Sequence, residues 1–227
     1  MDILLGEPFT TLILLAQAPL IAGFIVLAWK DAKESATLHL FLCLAALWIG
    51  CMNACREIVK ERPILRRERK VGLSVLPYVF SKLWVLGVMD LVGCVAMVWM
   101  VHQWVGLSGS RLALCMVLWL TALAGTTLGL AVSALSSSSD QAVGLVPLVV
   151  LPQILFSKAF LPDGGSAGVS RMLENVTLLG WSYDLFDHTR LLGASPAWMA
   201  WMKSILALTG LGALLFLLTA LVLRAED

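Results

Sequence analysis

Asp90 stands near the middle of an apolar run, Leu76 to Trp104, that is otherwise interrupted only by Lys82 near its start. A carboxylate in such a setting is costly unless it faces protein or water. It has two readings: a hydrogen bond between helices, or a group lining a path or gate. The remaining reactive side chains form no catalytic pattern. Cys43, Cys51, Cys55, Cys94 and Cys115 lie in or beside apolar runs without a CxxC pair, and His39, His102 and His188 are scattered. Small buried hydrophobes are the expectation for the cysteines, with no disulfide framework and no metal site. Inside the spans HExxH, GxSxG and paired catalytic carboxylates are absent as well, so no enzyme chemistry is expected of this chain. His102 reads as an interfacial residue near the end of its run, and Asn175-Val176-Thr177 is a sequon of a kind that chance supplies.

The densest polar segment is Arg56 to Lys70, where seven basic residues alternate with Glu57, Glu61 and Glu68. Glu57 and Glu61 are four apart and share a helix face, and the alternation predicts ion pairs on helices rather than a bare tether. Pro63 is expected to break or restart the helix, with a further break at Gly72 and Pro77. The result would be a rigid charged elbow that a docking partner could push.

These features need a frame that holds them, and composition says which. Of 227 residues, 59% are hydrophobic and 14% charged, and mean hydropathy is +0.89. Soluble domains carry about a quarter charged residues, so the solvent here is lipid and the chain is an integral membrane protein. The nine Trp suit interfacial belts. A net charge of +1 gives no global field for nucleic acid. The first segment, Met1 to Pro8, has no Lys or Arg and is not a signal peptide, so the first apolar run is expected to remain as an anchor.

Crossing the hydrocarbon takes about 20 apolar residues. Six spans are predicted: Pro8 to Trp29, Ser35 to Cys55, Leu76 to Trp104, Leu112 to Leu135, Gln141 to Phe160, and Trp198 to Leu223. Ser136 to Asp140 reads as a turn, and Leu161 to Pro196 as a long polar loop whose Trp181–Phe186 piece could dip into the interface. Backbone groups in lipid must pair internally, which makes the spans helices and the fold all-α. The basic cluster puts its loop, and with it both termini, on the cytoplasmic side. Lys30, Lys33, Arg111, Lys158, Arg171 and Arg190 are spread over the opposite side. In the fourth span Gly125-Thr126-Thr127-Leu128-Gly129 permits close helix approach, within the subunit or at a dimer seam. Pro147 and Pro152 should kink the fifth, giving either packing shape or a hinge beside a central cavity.

Glu61-Arg62-Pro63, Arg67-Glu68-Arg69, Gly72, Leu76-Pro77-Tyr78 and Ser81-Lys82 together resemble the first cytoplasmic loop of the G-subfamily ATP-binding-cassette exporters. The membrane domain of those exporters is the ABC-2-type permease. The likeness continues through Ser136–Asp140, Pro147, Pro152, Phe156-Ser157 and Leu161-Pro162, and so covers nearly the whole chain. It implies a half-transporter that pairs with a second permease copy and is driven by ATPase domains holding ATP and magnesium. It makes the loop a coupling helix, with Glu57, Glu61, Arg62, Arg66, Arg67, Glu68 and Arg69 as its contacts. Asp90, Pro147, Pro152 and Phe156 become candidates for the translocation path.

Three departures stand beside the likeness. No G-x-x-x-x-G-K-[ST] loop occurs, so ATP would belong to another chain or to a part of the protein outside this sequence. The family's amphipathic helix before the first span is missing or reduced to Met1–Pro8, and Lys158 stands where a small residue is usual. The reading is the permease subunit of an exporter of a hydrophobic or amphipathic substrate (lipid, glycan conjugate, peptide or drug) in a bacterial inner membrane. A docking scaffold without transport and an ion-coupled carrier using Asp90 are the alternatives.

Overall fold

Helices form here because the apolar runs leave main-chain N–H and C=O groups no partner except one another. In the computed structural model, which describes residues 8–32, 34–157, 175–190 and 198–225, every regular element is helical. The order is α1 (Pro8–Trp29), α2 (Ala36–Ala54), α3 (Glu57–Lys70), α4 (Val75–Val105), α5 (Arg111–Leu135), α6 (Ser139–Leu155), α7 (Leu178–Arg190) and α8 (Trp198–Ala225). Among the described residues, four stretches are long and apolar enough to cross a membrane: Ala36–Lys70, α4, α5 and α8; Ala16–Trp29 and α6 are shorter apolar helices. Segment 1–7, Lys33, Lys158, Leu161-Pro162, Asp163-Gly164-Gly165-Ser166 and Arg171 lie outside the described residues.

The bundle is built on α2 and α5, which are buried on most sides. Their main chains touch. A Cβ on Gly50 would stand 2.0 Å from the Ala122 carbonyl oxygen, one on Gly125 2.3 Å from that of Leu47, and one on Gly129 2.4 Å from that of Cys51. The Gly125–Gly129 pair is thus consumed inside the subunit, in contact with α2. All five cysteines are buried among the helices as small apolar groups.

Around that pair α4 buries one face, including Val79, Leu86, Asp90, Cys94, Met97 and Val101. Phe80, Trp84, Val88, Val92, Val95 and Trp99 are exposed on the other. Such a helix, apolar all round, has one side for protein and one for lipid. Its 31 residues span about 46 Å at 1.5 Å each, longer than the hydrocarbon. Pro77 does not end a helix: it sits in the first turn of α4, where its missing N–H costs nothing. The break falls at Val71–Ser74, where Gly72 takes φ +103°.

The fifth span differs from its predicted extent. Ser138 caps it, accepting from Gln141 N at 3.2 Å, so Ser139 and Asp140 are its first turn rather than a loop. It ends at Leu155, short of Phe160. Beyond Pro152 the turn tightens, with Ser157 N bonding Ile154 O at 3.1 Å. The Trp181–Phe186 piece is helical. It belongs to α7, whose Leu178, Leu179, Ser182, Leu185, Phe186 and Thr189 recur at helical spacing and are buried against the bundle. Gln153 Oε1 caps that helix by accepting from Leu178 N at 2.7 Å.

On the same side, His39 Nε2 lies 2.8 Å from Glu34 Oε1, and Glu34 Oε2 accepts from Ser108 N at 3.1 Å. Partial burial alone would raise the Glu34 carboxyl, but the hydrogen bonds from Ser108 and His39 outweigh it and hold it below its ordinary value. This clasp joins the α1–α2 link to the α4–α5 loop.

Candidate functional site

The charged elbow is one continuous helix. Pro63 lies inside α3 and does not break it. The ring removes one hydrogen bond, yet Ile58, Val59 and Leu65 are buried on either side and keep the helix on the bundle. Its N-terminus is capped from another element: Ser133 Oγ of α5 accepts from Ile58 N at 3.0 Å and Val59 N at 3.1 Å, satisfying donors that Arg56 cannot.

Predicted ion pairs exist, but the strongest cross to α4 instead of running along α3. Lys82 Nζ stands 2.5 Å from Glu61 Oε1 and 3.3 Å from Glu57 Oε2, while Tyr78 O–H donates to Glu61 Oε2 at 2.8 Å. Within α3 there is the longer Lys60–Glu57 pair, 3.8 Å. The side chains of Glu57, Glu61 and Lys82 are only 18%, 12% and 14% exposed. Two arginines reach to main-chain carbonyls near helix ends: Arg62 to Ala134 of α5 and Arg69 to Leu223 of α8. Four of the seven coupling candidates therefore brace α3 against the bundle. Arg66, Arg67 and Glu68 are exposed.

The outward face of α3 is Lys60, Pro63, Ile64, Arg67, Glu68 and Val71, all exposed and spaced as one helical stripe. Ile64 and Val71 are 55% and 90% exposed, apolar contacts set among charges.

Asp90 is fully buried and belongs to a polar chain through four helices. Gln17 Nε2 of α1 donates to Asn53 Oδ1 of α2 at 2.8 Å. Asn53 Nδ2 donates to Asp90 Oδ1 at 2.8 Å, and Thr126 of α5 donates to Asp90 Oδ2 at 2.5 Å. Both carboxylate oxygens are thus satisfied from two neighbouring helices.

A separate apolar groove of about 500 Å³ opens between α1, α2 and α6, lined among others by Phe24, Phe41, Trp48, Pro147, Leu151 and Ile154. Pro147 is brought to this groove; Asp90 is not among its lining residues. Pro152 is exposed on the same helix, and Phe156 is half-buried at its end.

Compared with known proteins, the profile of the family described as ABC-2 type transporter matches residues 4–189. The chain belongs to that family. It is also 30% identical over 159 residues, 66% of its length, to a Mycobacterium tuberculosis protein named ABC transporter ATP-binding/permease protein Rv1747. The match spans 18% of that relative, which is several times longer. With its long apolar helices, this ABC-2 domain is an integral membrane protein.

Several of its structural residues escape a reading of the sequence for charges and motifs. Gln17 and Asn53 are neutral amides inside apolar runs, and that is their only signal. Ser133 looks like any small residue of a membrane helix. Lys82, 21 residues from Glu61, offers no periodicity that pairs them.

Proposed function

We propose that this chain is a permease subunit, like those of the G-subfamily half-transporters, of an ATP-driven exporter moving a hydrophobic or amphipathic substrate. In this reading α1, α2, α4, α5, α6 and α8 are the six spans of a bacterial inner-membrane protein. The α3 side and both termini are cytoplasmic, and α7 lies outside. ATP and magnesium sit on the partner ATPase. A second permease copy, identical or related, closes the apolar groove between α1, α2 and α6 into a shared path.

The observation that carries the reading is the outward stripe of α3. Its acids and bases divide by face: Glu57 and Glu61 bond inward to Lys82 and Tyr78, leaving Ile64, Val71, Lys60, Arg67 and Glu68 to meet the ATPase. A helix merely marking topology needs no braces to three other helices. Arg67 and Glu68 are then contact residues, Arg66 stands at the stripe's edge, and Glu57, Glu61, Arg62 and Arg69 keep the elbow stiff.

The test is the permease–ATPase assembly purified from native membranes and reconstituted in vesicles. Ile64→Glu with Arg67→Glu should lower substrate-stimulated ATP hydrolysis and transport about tenfold, equivalent to ~1.4 kcal/mol of coupling, with thermal stability unchanged. Full transport by the double variant would overturn the assignment.

A further inference from the structure

We propose that the seam between α4 and α8, on the α3 side, binds one anionic phospholipid, with its phosphate in a cationic basin and an acyl chain in the apolar groove beyond it. The basin, about 800 Å³, is lined by Arg66, Arg69 and Lys70 of α3, Ser74 and Val75 at the start of α4, and Arg224 at the end of α8. Among the described residues lining it there is no carboxylate. Arg69 also hydrogen-bonds the Leu223 carbonyl, which fixes the end of α8 against α3 and gives the basin its wall. Ser74, at the start of α4, makes no side-chain cap hydrogen bond.

Cations alone would fit any phosphate, but the adjoining surface selects a lipid. A groove of about 350 Å³ between α4, α5 and α8 is lined by Phe80, Leu83, Leu123, Leu208, Gly212 and Phe216. Val75 and Phe80 are five residues apart on α4, and Arg224 and Phe216 eight apart on α8. At 1.5 Å per residue the groove therefore begins roughly 7–12 Å from the basin along both helices. Headgroup below, hydrocarbon above, is the order a phospholipid in that leaflet presents. Basic pockets between membrane helices bind anionic headgroups, and each cation near the surface contributes about a fivefold preference. Arg66, Lys70 and Arg224 together correspond to roughly a hundredfold selection over a zwitterionic lipid.

The experiment is native mass spectrometry of the purified protein after incorporation into vesicles of phosphatidylcholine, alone or mixed with phosphatidylglycerol. The wild type should retain one phosphatidylglycerol in preference to phosphatidylcholine. Arg66→Gln, Lys70→Gln and Arg224→Gln combined should lower that retention at least tenfold. Gly212→Leu, which fills the groove and changes no charge, should do likewise and stands as the readout should the triple variant fail to fold. Removing three charges elsewhere (Lys60→Gln, Arg67→Gln, Arg111→Gln) should leave it intact. Equal loss in that control would reduce the effect to bulk electrostatics and overturn the site. Full retention by Gly212→Leu would replace the lipid with a bare anion, and absence of any phosphatidylglycerol preference in the wild type would refute it outright.

Discussion

Two polar clusters hold this domain together, and they are built by different rules. Around Lys82, at the end of α4 nearest α3, charge meets charge: two glutamates share one ammonium, and one of them, Glu61, also accepts from a tyrosine hydroxyl. Around Asp90, further along the same helix, the carboxylate meets only an amide and a hydroxyl, and the amide is itself supported by Gln17. Near water, a full counter-charge can be held because both groups keep some solvation. Deep in a bundle, neutral donors satisfy the oxygens at smaller desolvation cost. The first cluster fastens α3, the second pins α1, α2, α4 and α5 together.

That contrast is open to attack by substitution, and the largest effect should come at the charged end. Lys82→Met leaves two mostly buried carboxylates facing each other with no cation between them. Destabilisation of about 2–3 kcal/mol is expected, read as a lower unfolding temperature, with protease sensitivity appearing first within 56–74. Lys82→Arg should recover most of the loss. If Met were neutral, the cluster would be no more than a surface pair.

At Asp90 two variants separate hydrogen bonding from charge. Asp90→Leu strands Asn53 and Thr126 and should cost about 1–2 kcal/mol. Asp90→Asn keeps an acceptor for Asn53 and presents an amide to Thr126, whose oxygen can accept it, so stability should stay within about 0.6 kcal/mol of wild type. Thermal unfolding alongside substrate-stimulated ATPase activity decides the matter. Normal activity in Asn with a purely structural loss in Leu identifies Asp90 as the pin. An Asn variant that is stable yet defective in transport would return it to the path.

The smallest expected effect lies at the opposite end of the molecule. Glu34 titrates below its ordinary value in the folded chain. Its clasp therefore adds stability that is fully present above the unfolded-state value and declines as pH falls through the folded one. Trp29, whose indole N–H bonds the Ser35 hydroxyl next to the clasp, should report a fluorescence change in acid. Glu34→Gln should abolish that change, and its persistence would place the titration elsewhere.

The sequence made the helices legible because lipid imposes a simple criterion of length and apolarity, which α2, α4, α5 and α8 meet. It misled at Pro63, where a break was expected, and at the far end of the fifth span, which was expected to reach Phe160. Pro63 sits where flanking residues are buried and the helix survives it; Pro152 sits near a helix end, where lost hydrogen bonds have less to hold them. The elbow's location was legible from composition, but its inner and outer faces were not. Their division depends on Lys82 and Tyr78, which only the fold brings beside Glu61. The Asp90 partners were hidden for another reason, since hydropathy scarcely separates an amide that serves a carboxylate from one that serves nothing.

The seam at Gly50, Gly125 and Gly129 sets the mechanics of the whole domain. With main chain resting on main chain, α2 and α5 have no side-chain cushion to compress and no room to roll, so they form the keel. Ser133 ties the start of α3 to that keel through two amides, and a thrust on α3 is delivered to it without play. Any change of shape has to hinge along the outer planks, α6 among them, where a methyl on Gly144 would meet nothing within 4 Å.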